Sequence, residues 1–236
     1  MDNSKILVIS DLHFPYQHID TLDFLYKIKN ILKPTRIICI GDEIDFHNLS
    51  FHDSNPDLDS SGMELVKALG YIDALHEIFP KMDILESNHG SMVYRKQKHH
   101  GIPRHVLKSY NEILGVSKDD WRWHDELILE LPNGRKCKFV HSVSANVLAA
   151  SQAIGMSMVQ GHYHSQFELR YWDNGHGLNF GVVTGCLIDN KSMAIAYNKL
   201  FPKKPILGVT FIDNSLPSLV PMLLNEESRW IGTKWK

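Results

Sequence analysis

The chain has 236 residues, 43% hydrophobic and 22% charged, with a formal net charge of −2. That balance is ordinary for a soluble globular protein with a sizeable core, and it excludes a general polyanion binder, so affinity for nucleic acid would need a local basic patch. The opening "MDNSKILVIS" is too short and wrongly flanked for a signal peptide and no apolar run reaches membrane-span length; a cytoplasmic location with no membrane partner is expected.

Without repeats or low-complexity tracts, residues 1–236 read as one domain. "KILVIS" (5–10) is a continuous apolar run, the pattern of a strand buried on both faces. Ile19, Leu22, Leu25, Ile28 and Leu32 follow at helical spacing, and Pro34 stops that helix. "RIICI" (36–40) is a second buried strand, residues 46–61 are a polar, turn-rich loop, and a helix is expected over 62–79, ended by Pro80. "MDILES" (82–87) is a third strand, and this alternation implies parallel strands joined by helical crossovers.

Later the pattern changes. "ELILELPNGRKCKFVHS" (126–142) is a hairpin around Asn133-Gly134, and "FELRYWDNGHGLNFGVVTGCLI" (167–188) a second antiparallel pair. "ILGVTFID" and "SLVPMLL" are late strands, with Pro221 suggesting an edge. Together these predict an α/β fold of two mixed β-sheets packed as a sandwich and flanked by helices. Cys39, Cys137 and Cys186 lie in or beside strand-like runs without paired or zinc-like spacing, and are read as small buried hydrophobes in a reducing compartment.

Polar residues stand where the apolar runs stop. "ILVIS" is followed by Asp11 and His13, "IICIG" by Asp42, "DILES" by Asn88 and His89, "KFV" by His141, and "MSMVQG" by His162 and His164. Each motif taken alone reads as a strand exit, cap or turn. Together they place candidate metal ligands at the carboxyl ends of successive strands, where α/β sheets form functional crevices. Two aspartates, an asparagine carbonyl and four histidines offer oxygen and nitrogen without thiolate, a mixture better suited to Mn, Fe, Zn or Co than to Ca. The set is too rich for one four-coordinate ion and can hold two, the clamp used to hydrolyse phosphate esters in line.

In this order, "DLH" (11–13), "GDEID" (41–45), "SNHG" (87–90), His141 and "GHYH" (161–164) resemble the signature of the calcineurin-like metallophosphoesterases: D-x-H, G-D-x-x-D, G-N-H-(D/E), an isolated H and G-H-x-H. The resemblance runs to about residue 188. It implies a metallophosphoesterase-like fold, two divalent metal ions (manganese first; Fe, Zn, Co or Ni as alternatives) and hydrolysis by a metal-bridging hydroxide. By it, Asp11, His13 and His164 would hold one metal, Asn88, His141 and His162 the other, and Asp42 would bridge them. His89 would be catalytic rather than a ligand, facing the phosphate and helping to protonate the leaving oxygen.

The departures bear on substrate. Gly90 stands where the family has an acidic residue that supports the catalytic histidine, Ser87 replaces a glycine, and Phe14 and Phe46 replace residues typical of protein phosphatases. From Ser91 to Asn111 the chain has no acidic residue but carries Arg95, Lys96, Lys98, Arg104 and Lys108. Arg95 and Arg104 are therefore candidate substrate-binding residues with a bidentate grip on phosphate; Tyr94 could stack on a base or belong to the core. Trp121 and Trp123 read as packing residues. The expected substrate is a phosphorylated small molecule, a nucleotide above all, or nucleic acid. The alternatives are a protein phosphatase and a catalytically silent scaffold of this fold that binds a protein partner.

Overall fold

In the computed structural model, which describes residues 2–49, 57, 59–189, 191 and 203–232, the first apolar run is strand β1, Lys5–Ile9. Its alternate side chains enter two cores, as a strand buried on both faces requires. Leu7 and Ile9 pack beneath helices, while Ile6 and Val8 pack between two sheets. Helix α1, Thr21–Leu32, buries Phe24, Leu25 and Ile28 against the first of these cores. It ends where Lys33 takes a left-handed conformation just before Pro34.

Strand β2 (Arg36–Cys39) pairs in parallel with β1, and β3 (Met82–Leu85) in parallel with β2. Between β2 and β3 runs α2, Ser61–Ile78, whose first turn is capped by the Ser60 hydroxyl accepting the Met63 N–H. In the loop expected over 46–61, His47–Leu49 forms a short 3-10 turn, and residues 50–56 and 58 lie outside those described. After β3 come α3 (Met92–His99), α4 (Tyr110–Leu114) and a strand the sequence did not signal, β4 (Trp121–His124), parallel to β3. Its "WRWH" alternates apolar and polar side chains but is only four residues long, too short a run to mark a strand. Trp121 is fully buried, its indole N–H on the Phe79 carbonyl at 2.9 Å, which is the packing role expected of it.

The hairpin around Asn133-Gly134 is β5 (Leu127–Glu130) against β6 (Lys136–Phe139). Helix α5 (Val147–Ile154) then leads to β7 (Ser157–Gln160), β8 (Glu168–Asp173) and β9 (Leu178–Val183). Finally β10 (Gly208–Asp213) and β11 (Leu216–Pro221) return to the first sheet, with Pro221 closing the edge strand as its chemistry demands. Among the described residues the sheet orders are β11-β10-β1-β2-β3-β4 and β5-β6-β7-β9-β8, each mixing parallel and antiparallel pairs.

The two sheets face each other across Ile6, Val8, Ile38, Ile40, Leu85, Phe139, Val159 and Val182. α1 and α2 cover the outer face of the first sheet, and α5 that of the second. Full burial of such a side chain contributes about 1.5–3 kcal/mol, so this double core is what holds the strand ends in place. The three cysteines are free and buried, as read from their positions. No helix among the described residues is long and apolar enough to cross a membrane.

Candidate metal centre

The loops leaving β1 and β2 are bonded to each other before any side chain is considered. Asp11 N–H donates to the Gly41 carbonyl at 3.0 Å, His13 N–H to Asp42 at 2.8 Å and Phe14 N–H to Glu43 at 2.9 Å. From the second sheet, His162 N–H donates to Asp11 Oδ2 at 2.9 Å and Gly161 N–H to the His141 carbonyl at 3.0 Å. This pairing forces Asp11, His13, Asp42 and His162 into left-handed backbone, with φ of 52°, 51°, 55° and 68°. Non-glycine residues adopt that region at a cost, and such strain gathers at functional sites. Gly161 has its own reason: a Cβ there would stand 2.1 Å from Ser10 Oγ and 2.5 Å from Asp11 Oδ2.

The predicted ligands converge. Asp11, His13 and His164 form one cluster, Asp42, His141 and His162 another, and His13, Asp42 and His89 a third between them. His164 Nε2 lies 3.1 Å from Asp11 Oδ1 and 3.2 Å from His13 Nε2. His141 Nε2 lies 2.6 Å from Asn88 Oδ1 and 3.2 Å from Asp42 Oδ2, and His162 Nδ1 lies 3.1 Å from Asn88 Oδ1. Ligands about 2.0–2.2 Å from a common ion sit roughly 3.0–3.5 Å from one another, and most of these separations match that spacing.

The tautomers point the same way. His141 Nδ1 bonds the Ile40 carbonyl at 2.9 Å, and since a carbonyl only accepts, Nδ1 carries the hydrogen. In the neutral ring Nε2 is then a lone pair facing the Asn88 oxygen, another acceptor. Two acceptors this close need a proton or a cation between them. Such fixing of a ligand's far nitrogen is the usual support of metal-binding histidines.

The electrostatics favour positive charge. Burial would raise Asp11 and Asp42, but hydrogen bonds from His13 and His164 to Asp11, and the His141 and His89 charges near Asp42, hold both carboxyls well below their ordinary values. Burial would lower His141, yet the charge and hydrogen bond of Asp42 keep it up at about 9. Burial and the nearby His141 lower His162. The pocket thus holds carboxylates ionised and attracts a proton to His141, as a site shaped for cations would in their place.

His89 stands apart from the two outer clusters. Its N–H donates to Asp42 Oδ1 at 3.0 Å, and its Nε2 is 4.0 Å from Asp42 Oδ2. Its Nδ1 bonds the Asp45 backbone carbonyl and lies 3.6 Å from Asp45 Oδ1. The other oxygen of that carboxylate is 3.3 Å from His13 Nδ1. Asp45 was missed as a site residue, although it ends the very motif "GDEID" that drew attention to Asp42.

Position 90 is a tight place for any side chain. A Cβ on Gly90 would meet Ser87 Oγ at 3.1 Å and the Tyr110 hydroxyl at 3.4 Å. Ser87 is more than a tolerated change, because its hydroxyl accepts the N–H groups of both Asp42 (3.0 Å) and Gly90 (3.1 Å), tying two site loops together. Glu43 lies behind them fully buried, and burial pushes its carboxyl up to about 7 despite the Tyr110 hydroxyl beside it.

The basic stretch begins immediately after the centre, on α3. Arg104 lies in a cleft of about 650 Å³ whose wall includes Gly90 and Ser91. Its guanidinium is 5.9 Å above the Tyr94 ring. Arg95 is exposed on α3 and is not among the residues lining that cleft.

No protein-family model matches the chain, and no curated protein matches it. Solved structures do. An archaeal phosphodiesterase is 14% identical with a TM-score of 0.50, the match covering 92% of this chain and 99% of that one. Chaetomium thermophilum Vps29 is 13% identical with a TM-score of 0.48, covering 96% and 92%. Yfce, a phosphoesterase from E. coli, is 13% identical with a TM-score of 0.47, covering 97% of both. At these identities the likeness concerns architecture: two mixed sheets flanked by helices, the metallophosphoesterase fold. That is the fold the motifs implied.

Proposed function

We propose that the protein is a metal-dependent phosphoesterase of the calcineurin-like family, acting on a nucleotide or nucleic acid. The observation that carries this reading is the convergence of seven oxygen and nitrogen donors from five strand ends at ligand-to-ligand spacing, with an imidazole beside them that is not needed as a ligand. Asp11, His13 and His164 would hold one divalent cation and Asn88, His141 and His162 a second, with Asp42 contributing between them. When bound, such a pair generates a nucleophile from water near neutral pH and neutralises charge on a phosphate.

The chain's own part is positioning and proton transfer. With Nδ1 donating to the Asp45 carbonyl, His89 presents Nε2 towards Asp42 and the centre. The Asp45 carboxylate lies 3.6 Å from the same Nδ1, and Nε2 is left free to deliver a proton to the departing oxygen. Arg104, and Arg95 on the exposed face of α3, add positive charge on the side where substrate continues. A scaffold without turnover would have no use for a histidine held in this manner.

The test is hydrolysis of p-nitrophenyl phosphate, bis(p-nitrophenyl) phosphate, nucleotides and single-stranded DNA by manganese-loaded protein. Turnover of at least one of them, abolished by chelation, is expected. Absence of turnover across the panel with two ions bound per chain would overturn the reading.

A further inference from the structure

Of the cleft beside the centre, the hydrolytic reading uses only the charge of Arg104. The cleft wall starts at Gly90 and Ser91, directly after His89, and continues through Tyr94, Arg104, Lys108 and Trp123. At about 650 Å³ it falls within the usual range for ligand pockets, roughly 300–1,000 Å³. Tyr94 is fixed at both ends: its ring packs on the helix-side core, and its hydroxyl donates to the Lys108 carbonyl at 3.2 Å. Arg104 lies over that ring, which makes a layered aromatic and guanidinium platform.

Cations outnumber carboxylates on the cleft wall, where Arg122 stands with the residues that follow. Lys108 and Lys118 line the cleft with Arg104, and Arg95, Lys96 and Lys98 continue outward along α3. Of the acidic residues on the wall, Glu112 is already engaged, its carboxylate accepting the Ser109 N–H and hydroxyl at 2.7 and 2.5 Å. Glu86 and Asp125 remain. Between Ser91 and Asn111 no acidic residue interrupts the cations.

We infer that this cleft binds single-stranded nucleic acid, seating the nucleoside next to the scissile phosphate. Resting on the phosphoesterase reading, this deepens it by naming a polynucleotide as substrate. An unpaired base stacks on the Tyr94–Arg104 platform, as bases do on aromatic rings and guanidinium planes. Lys108 and Lys118 hold the adjoining phosphate, and the α3 cations follow the strand beyond it. A concave platform takes a splayed-out base, which a duplex does not offer, and the row of cations outside the cleft exceeds what a mononucleotide can engage.

The experiment measures binding of a fluorescent oligothymidylate to the full chain in EDTA, by anisotropy at several salt concentrations. Stacking contributes about 1–3 kcal/mol per base, so Tyr94→Ala should weaken binding about 5- to 150-fold. Lys108→Ala should reduce the salt slope by about 0.7. Should Tyr94→Ala fail to fold, the exposed Arg104→Ala serves, with a weakening in the same direction. A duplex of matching sequence should bind less tightly than the single strand. Equal affinity for the two, or unchanged affinity in both platform variants, overturns the inference. The two readings separate cleanly. Hydrolysis of bis(p-nitrophenyl) phosphate with platform-independent oligonucleotide binding sinks the cleft alone. Platform-dependent binding without hydrolysis of any phosphate ester sinks the catalytic reading alone.

Discussion

Asp45 meets His89 twice, its backbone carbonyl bonded to the imidazole Nδ1 and its carboxylate Oδ1 3.6 Å from the same nitrogen. The same carboxylate reaches His13, a proposed ligand, at 3.3 Å. One buried residue therefore meets the proposed proton donor through its backbone and a proposed metal-binding ring through its carboxylate. Partners of this kind typically affect metal affinity or activity about 10- to 100-fold. Asp45→Asn should lower kcat and metal affinity together by about that factor. Loss of neither, in kinetics and metal titrations of the folded variant, would show that the contact is incidental.

His89 and Asp42 should separate in the opposite way. His89→Ala removes the proposed general acid, an expected loss of about 10²–10⁴-fold in turnover, while leaving the proposed ligands intact. Asp42→Asn weakens a donor shared by two of the three clusters, so bound metal should fall first and activity with it. Elemental analysis beside steady-state kinetics distinguishes them. A His89→Ala protein with full activity would refute the role given to that residue.

Ser87 makes a stability prediction. Ser87→Ala leaves the Asp42 and Gly90 N–H groups without their acceptor. An unsatisfied buried polar group costs about 1–3 kcal/mol, which in a chain of this size lowers Tm by about 2–12 °C. Calorimetry on metal-free protein reads this directly, and an unchanged Tm would mean that water or another group replaces the hydroxyl.

Glu64 provides a pH signature away from the centre. It is buried on α2 with Oε1 accepting the His47 N–H at 2.8 Å, and burial pushes its carboxyl up to about 7 from an ordinary 4.5. Between those values the folded state holds a proton that the unfolded state has released. Its contribution to stability is therefore complete below pH 4.5 and is lost as pH rises through 7. In urea titrations, wild type should lose more stability across this window than Glu64→Gln. Parallel curves for the two proteins would contradict the shift.

How far the sequence disclosed this protein depended on which physics each segment expresses. β1, β2 and β3 were legible because strands buried on both faces appear as unbroken apolar runs, and the hairpin at 133–134 because Asn-Gly favours its turn. β4 and α5 were not: four residues of "WRWH" and eight of "VLAASQAI" are too short for periodicity to separate strand, helix and loop. The donor residues were visible because each follows an apolar run. Asp45 and Ser87 were overlooked as supports because their effect depends on which loop lies beside them in space. Arg95 and Arg104 looked alike in sequence, and only Arg104 lines the cleft.

The left-handed turns at Asp11, His13, Asp42 and His162 set these loops against their own chemistry. A residue with a Cβ is disfavoured there by roughly 1–2 kcal/mol, a penalty glycine escapes. A lineage selected for heat tolerance alone would drift towards glycine or asparagine at those four places, growing sturdier as it fell silent. In this chain the four places hold aspartate and histidine, so the strain and the metal-binding side chains proposed here fall on the same residues.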